Sequence, residues 1–118
     1  PFVRADIEGT QQFNWMELDG DYDLFGDGSI VILSTPGHTL GHQSMQVTME
    51  SGNRILLAQD AIWMQENLDG HPAGLNFSVQ AYTKSVNRMK YMRDLQGIPL
   101  FMGHDENQWK AGGDRWYR

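Results

Sequence analysis

Apolar and polar residues follow one another along this chain in short blocks with changing period. Ile30-Val31-Ile32-Leu33 is a continuous apolar run and predicts a buried strand over 29–34. Further on the pattern alternates: Met45, Val47 and Met49 are separated by polar residues, which predicts a strand near 43–49 with one buried face. Ser51-Gly52-Asn53 reads as a hairpin turn into a third strand, 54–58, built on Ile55-Leu56-Leu57-Ala58. Residues 64–77 carry Gly70, Pro72 and Gly74 and predict a loop. The period then lengthens. Val79, Tyr82, Val86, Met89 and Met92 recur every three or four residues, which predicts one helix with a single apolar stripe. Ser78 suits its N-cap, Gly97 its stop after Gln96, and Pro99 forbids continuation. A last strand, 98–102, runs into Gly103 and then a Gly-rich polar tail with Trp109, Trp116 and Tyr117. Residues 1–20 are weakly patterned, and the turn-rich segment 19–28 has room for one short strand.

Strands first, then one helix and one strand, predict an α/β arrangement in which a helix packs on a mostly β layer. The 118 residues suffice for one domain with a modest core. Composition then narrows the function. The net charge of −6 and the lack of any basic cluster argue against nucleic acid and anionic membrane as partners. No apolar stretch approaches the roughly 20 residues of a membrane span. The chain has no Cys, so disulfides and thiolate metal ligands are excluded, and any metal must be held by His and carboxylate. This composition fits the cytoplasm. The chain opens on Pro1 with no Met, and its natural start is expected upstream.

The candidate chemistry sits at three strand ends. Thr35-Pro36-Gly37-His38 breaks the first apolar run and presents an imidazole at the carboxyl end of a strand, where open α/β sheets bind ligands. Ile55-Leu56-Leu57-Ala58 leads to Asp60, and Leu100-Phe101-Met102 leads through Gly103 to His104. Two imidazoles and a carboxylate are the donors of a transition-metal site that favours zinc. Each has a blander reading. His38 could brace its turn, Asp60 could cap a helix, and His104 could be a surface residue beside Asp105 and Glu106. His42 could be a ligand but is better placed to orient the loop, and Asp105 could orient the ring of His104. His71 has no strand behind it and is not a candidate. Met45, Met49, Met89 and Met92 read as core filling. Lys84, Arg88, Lys90 and Arg93 read as a solvated helix face.

Taken together, Leu33-Ser34-Thr35-Pro36-Gly37-His38-Thr39-Leu40-Gly41-His42-Gln43-Ser44, then Asp60-Ala61, then Gly103-His104-Asp105 resemble the carboxyl-terminal half of a metallo-β-lactamase superfamily hydrolase. Within it they are most similar to the N-acyl homoserine lactonase branch. The resemblance runs from about Gly20 to the end. It implies half of an αββα sandwich: a mixed or antiparallel β layer with one long packed helix, and hence residues 1–118 as a fragment of a larger domain. It implies two zinc ions in the complete enzyme, with His38 on one, His104 on the other and Asp60 bridging both. The implied activity is ring-opening of a small lactone by a metal-bound hydroxide, with Asp60 as the catalytic carboxylate.

Three departures from the family pattern stand in the sequence. The His-x-His-x-Asp-His motif is absent; Gln59 precedes Asp60 where many members have Gly; and Trp63, a wall of the substrate pocket, stands where the acyl-homoserine lactonases have Tyr. The isolated chain is therefore expected to bind zinc weakly and to be inactive. It is also expected to associate with a missing amino-terminal half or with itself. The alternatives are a truncated domain that serves as a binding or dimerisation module, and a hydrolase of a thioester or phosphodiester.

Overall fold

The computed structural model describes residues 8–112, so Phe2, Val3, Ile7, Trp116 and Tyr117 lie outside the described residues. Within them a 3-10 turn, Thr10–Gln12, precedes five strands: β1 Tyr22–Asp23, β2 Ile30–Ser34, β3 Gln43–Thr48, β4 Arg54–Leu57 and β5 Leu100–Phe101. A second 3-10 turn, Gln59–Ala61, follows β4. Three helices complete the described residues: α1 Gln65–Leu68, α2 Val79–Gln96 and α3 Glu106–Gly112. None of the helices among the described residues is long and apolar enough to cross a membrane.

The strands form one mixed sheet in the order β1-β2-β3-β4-β5. The first three pairings are antiparallel and the last, β4 with β5, is parallel. The two turns of the meander therefore leave β2, β4 and β5 running the same way. Their carboxyl ends share one rim, which is where His38, Asp60 and His104 follow.

The helix α2 has the boundaries its sequence predicts. The Ser78 side chain accepts from the Ala81 N–H, and Gly97 ends the helix at φ 67°, a left-handed conformation cheap only for glycine. Its buried stripe is Tyr82, Ser85, Val86, Met89 and Met92. Val79, expected on that stripe, is 58% exposed, because it lies in the first turn before the helix meets the sheet. Against the stripe pack Leu33, Leu56 and Leu100 from three strands, with Ala58, Ile62, Ile98 and Met102 closing the core.

The strand β3 corrects the alternation read from sequence. Leu33 pairs with Ser44, and Leu56 with Gln46. The polar residues Ser44 and Gln46 thus share the helix-facing side, and Ser44 is buried. Met45 and Val47 turn to the other face. There Ile32, Met45, Leu57 and Phe101 align across four strands, with Ile30, Val47 and Ile55 behind them. None of these is fully buried. The sheet is apolar on both faces but covered by a helix on one.

Two helices have no counterpart in the sequence pattern. Within the predicted loop 64–77, Asn67 folds the turn α1 by accepting from the Trp63 and Met64 N–H groups and donating to the His71 carbonyl. In the polar tail, Asp105 Oδ1 accepts from the Gln108 N–H and so caps α3. The basic face of α2 is more bonded than expected. Arg88 pairs with Asp21 through two hydrogen bonds, Lys90 donates to the Leu68 carbonyl, and Arg93 pairs with Asp94.

Candidate functional site

His38 sits on a turn held from three sides. The Thr35 N–H donates to the His42 carbonyl, closing the loop that carries it. Ser85 on α2 donates its hydroxyl to the Pro36 carbonyl. Gly37 runs against the helix so closely that a Cβ there would lie 2.4 Å from the Tyr82 Cα, which is why glycine stands at this position. The segment after α1 then runs beside the turn. The Phe77 N–H donates to the His38 carbonyl and the Ser78 N–H to the Gly37 carbonyl.

The ring of His38 is fixed by the same segment. Its Nδ1 lies 2.8 Å from the Leu75 carbonyl oxygen. A carbonyl only accepts, so Nδ1 carries a proton, and in the neutral ring Nε2 is the nitrogen that keeps the lone pair. That lone pair faces Asp60, with Nε2 to Oδ2 at 3.7 Å.

Asp60 belongs to the 3-10 turn after β4. Gln59 before it holds φ 51°, a left-handed conformation that costs a residue with a side chain roughly 1–2 kcal/mol. The glycine that many relatives of this pattern have there would adopt it freely. His104 is brought in by the segment that follows β5. The Gly103 N–H donates to the Ile62 carbonyl and the His104 N–H to the Trp63 carbonyl, so residues 103–104 zip onto 62–63. His104 Nε2 then lies 2.8 Å from Asp60 Oδ1. The three residues read from the sequence as one site therefore meet, with one carboxylate between two imidazoles.

Behind them runs a buried polar relay whose protons can be assigned. The Ser44 hydroxyl donates to the Ala58 carbonyl at 2.9 Å. Its oxygen must then accept from the Thr35 hydroxyl, 2.8 Å away. The Thr35 oxygen in turn accepts from His42 Nδ1 at 2.9 Å. His42 is thus protonated on Nδ1 and bare on Nε2. Burial pushes its pKa down, which keeps the ring neutral, although Thr35 and Asp60 pull the other way. The ring of His42 meets that of His38 edge-on, centroids 6.2 Å apart. Asp105, expected to orient His104, spends its carboxylate on capping α3, because the helix begins one residue later and its free N–H groups are the nearer donors.

Trp63, which the sequence reading puts in the pocket wall, has its ring against both imidazoles. Its centroid is 5.9 Å from that of His38 and 5.0 Å from that of His104. Its Nε1 is buried without a partner among the described residues.

The donor set suits a metal in part. In the neutral ring the His38 lone pair faces a carboxylate oxygen, an arrangement that a cation between them would satisfy. Two ligands about 2.1 Å from one tetrahedral zinc stand about 3.4 Å apart, close to the His38–Asp60 spacing. The His104–Asp60 contact is a closed hydrogen bond that a metal would have to open. Among the described residues no group of three or more His, Asp or Glu is already gathered to hold an ion.

Comparison with known proteins bears on the fold and the enzyme class. No protein-family model matches the chain. An N-acyl homoserine lactonase AttM from Rhizobium johnstonii is 30% identical over 119 residues, covering 93% of this chain and 43% of that protein. An N-acyl homoserine lactonase from Bacillus thuringiensis is 31% identical over 98 residues, covering 83% and 38%. The solved structure of an N-acyl homoserine lactone hydrolase, with the product N-hexanoyl-L-homoserine at its catalytic metal center, superposes with TM-score 0.70 and 31% identity over 80% of this chain and 37% of that one. A probable metal-dependent hydrolase from Staphylococcus aureus shares the fold, with TM-score 0.65 at 14% identity. The chain spans about two fifths of the length of the curated relatives it matches. In sequence and in fold it is similar to part of the lactonase branch of the metallo-β-lactamase superfamily.

Proposed function

We propose that this chain is the portion of a zinc-dependent lactonase that supplies His38, Asp60 and His104 to the metal site, and that the complete protein opens small lactones. The observation that carries this is Asp60 with one carboxylate oxygen toward Nε2 of each imidazole, at 3.7 and 2.8 Å. The chemistry that zinc supplies when bound is Lewis acidity toward an ester carbonyl and a water acidified toward neutrality.

The chain's own residues do the rest. Leu75 holds the proton of His38 on Nδ1 and so keeps Nε2 available as a donor. Asp60 is placed to bridge two sites with its two oxygens. Trp63 packs against both imidazoles and closes one side of the site. The remaining donors lie on the part of the protein outside this chain, and the uncovered apolar face of the sheet is where that part packs. The chain alone then holds an incomplete set, since a catalytic zinc needs about three protein ligands of its own.

The test uses the full-length protein. Its zinc content, and its hydrolysis of a panel of lactones, thioesters and phosphodiesters, are measured for the natural sequence and for His38→Ala, Asp60→Asn and His104→Ala. The expected result is lactone turnover that each variant reduces at least a hundredfold with loss of zinc. Turnover unaffected by Asp60→Asn would refute the assignment, and turnover of only thioesters or only phosphodiesters would refute the substrate class.

A further inference from the structure

We propose that Trp63 is a positioning residue for the imidazole pair: its indole spans His38 and His104 and fixes their separation across Asp60, while Asn67 fixes the Trp63 backbone. The inference deepens the metal-site reading above and rests on it for its consequence, though not for its geometry.

The two imidazoles sit on loops, and their side chains are 23% and 53% exposed. Such rings rotate freely unless something packs on them. Leu75 restrains His38 through Nδ1, whereas the His104 ring is hydrogen-bonded, among the described residues, to Asp60 alone. The indole supplies the missing restraint to both, with interplanar angles of 63° to His38 and 54° to His104. The same residue holds His104 a second way, since the Trp63 carbonyl accepts the His104 backbone N–H at 2.8 Å.

Trp63 is itself anchored. The Asn67 side chain, 6% exposed, accepts from the Trp63 N–H at 2.8 Å. The indole is thus carried on a fixed backbone. Its buried Nε1 has no acceptor among the described residues. What tryptophan offers here is therefore breadth and not its hydrogen bond. A single six-membered ring reaches one imidazole; the fused ring reaches both.

The test compares the full-length protein with Trp63→Phe and Trp63→Leu. Histidine nitrogen resonances are recorded on metal-free protein, and cobalt(II) affinity is then measured by absorption titration. In the natural sequence His38 is expected as the Nδ1–H tautomer and His104 as an ordered Nε2–H donor. Trp63→Leu is expected to return His104 to the averaged spectrum of a free ring and to weaken cobalt binding about tenfold. Trp63→Phe, which keeps the fold and the nearer ring contact, is expected to retain an ordered His104 and to lose about threefold. Wild-type tautomers and order surviving in Trp63→Leu, or averaged imidazoles already present in the natural sequence, would overturn the proposal. Ordered imidazoles that depend on Trp63 but bind no cobalt would instead sink the metal reading and leave the positioning intact.

Discussion

Gly103 lies so close to Gln59 that a Cβ at Gly103 would sit 2.5 Å from the Gln59 carbonyl oxygen. The obstacle is backbone, so it cannot rotate aside. This contact is what lets the segment after β5 approach the turn after β4, and it brings His104 onto Asp60. Gly103→Ala is expected to lose about 1–3 kcal/mol by overpacking and to separate the pair. Urea unfolding measures the first effect and the His104 nitrogen resonances the second. An alanine variant with wild-type stability and an intact Asp60–His104 bond would show that the segment has room the structure denies it.

Gln59 holds φ 51° immediately before Asp60. Glycine adopts that conformation without strain, but it also gains freedom in the unfolded chain. Gln59→Gly is expected to stabilise the protein by about 0.5 kcal/mol, and Gln59→Val to destabilise it by about 2 kcal/mol. Thermal unfolding of the two variants decides the matter by their order. A valine variant as stable as the glycine one would mean the strain is absent.

The relay from His42 through Thr35 and Ser44 to the Ala58 carbonyl ties the ends of three strands together behind the site. Thr35 and Ser44 are each 1% exposed, so a broken link leaves a partner dry. Thr35→Val, which keeps the shape and removes the hydroxyl, is expected to cost about 1–3 kcal/mol. The Nδ1–H of His42 also faces the Thr35 backbone carbonyl at 3.1 Å, which valine keeps, so the Nδ1–H tautomer is expected to survive in the nitrogen resonances. A His42 proton found on Nε2 in the natural sequence would refute the proton order assigned here.

Asn67 satisfies two backbone N–H groups and one carbonyl from a buried position. Asn67→Ala orphans all three, and the loop bearing Trp63 is expected to loosen at a cost of about 2–3 kcal/mol. Hydrogen exchange at the Trp63 and Met64 amides is the direct readout. Their unchanged protection in the alanine variant would show that α1 holds without Asn67.

The pair Arg88–Asp21 joins α2 to the segment before β1. Its hydrogen bond to Arg88 holds the Asp21 carboxyl below its ordinary pKa, against the opposing effect of burial. The folded value is the lower one, so the contribution is present in full above the unfolded value, near pH 4, and is lost as pH falls through the folded value. Both side chains are more than a third exposed, and screening reduces the contribution to about 0.5 kcal/mol. Asp21→Asn should flatten the stability profile below pH 4 by that amount and leave the neutral range slightly weakened. An identical acid limb in the two proteins would exclude this pair as its source.

Much of this architecture is set by local chemistry. The Ser78 cap, the Gly97 stop and the stripe from Tyr82 to Met92 fix α2 wherever it packs. The apolar runs fix β2 and β4, and the glycines at 37 and 103 mark where the chain turns at each strand end. Those signals are contained within a few residues of one another, so they can be read from order alone. They also bring the right three donors into view, because each follows a strand that must be buried.

Tertiary structure decided what depends on register and on distance in sequence. A shift of one residue exchanges the two faces of a strand, and pairing with β2 and β4 turned Ser44 inward and Met45 outward. The tail forms α3 without an apolar stripe because its Asp105 cap is joined by contacts to β5: the Gln108 side chain accepts from the Met102 N–H and donates to the Leu100 carbonyl, and the Trp109 ring meets Phe101. Asp21 and Arg88 meet across 67 positions, which no local pattern encodes. The meeting of His38, Asp60 and His104 belongs to this second class. Their residue types were written in the chain, but only a sheet with β2, β4 and β5 pointing one way could carry all three to the same rim.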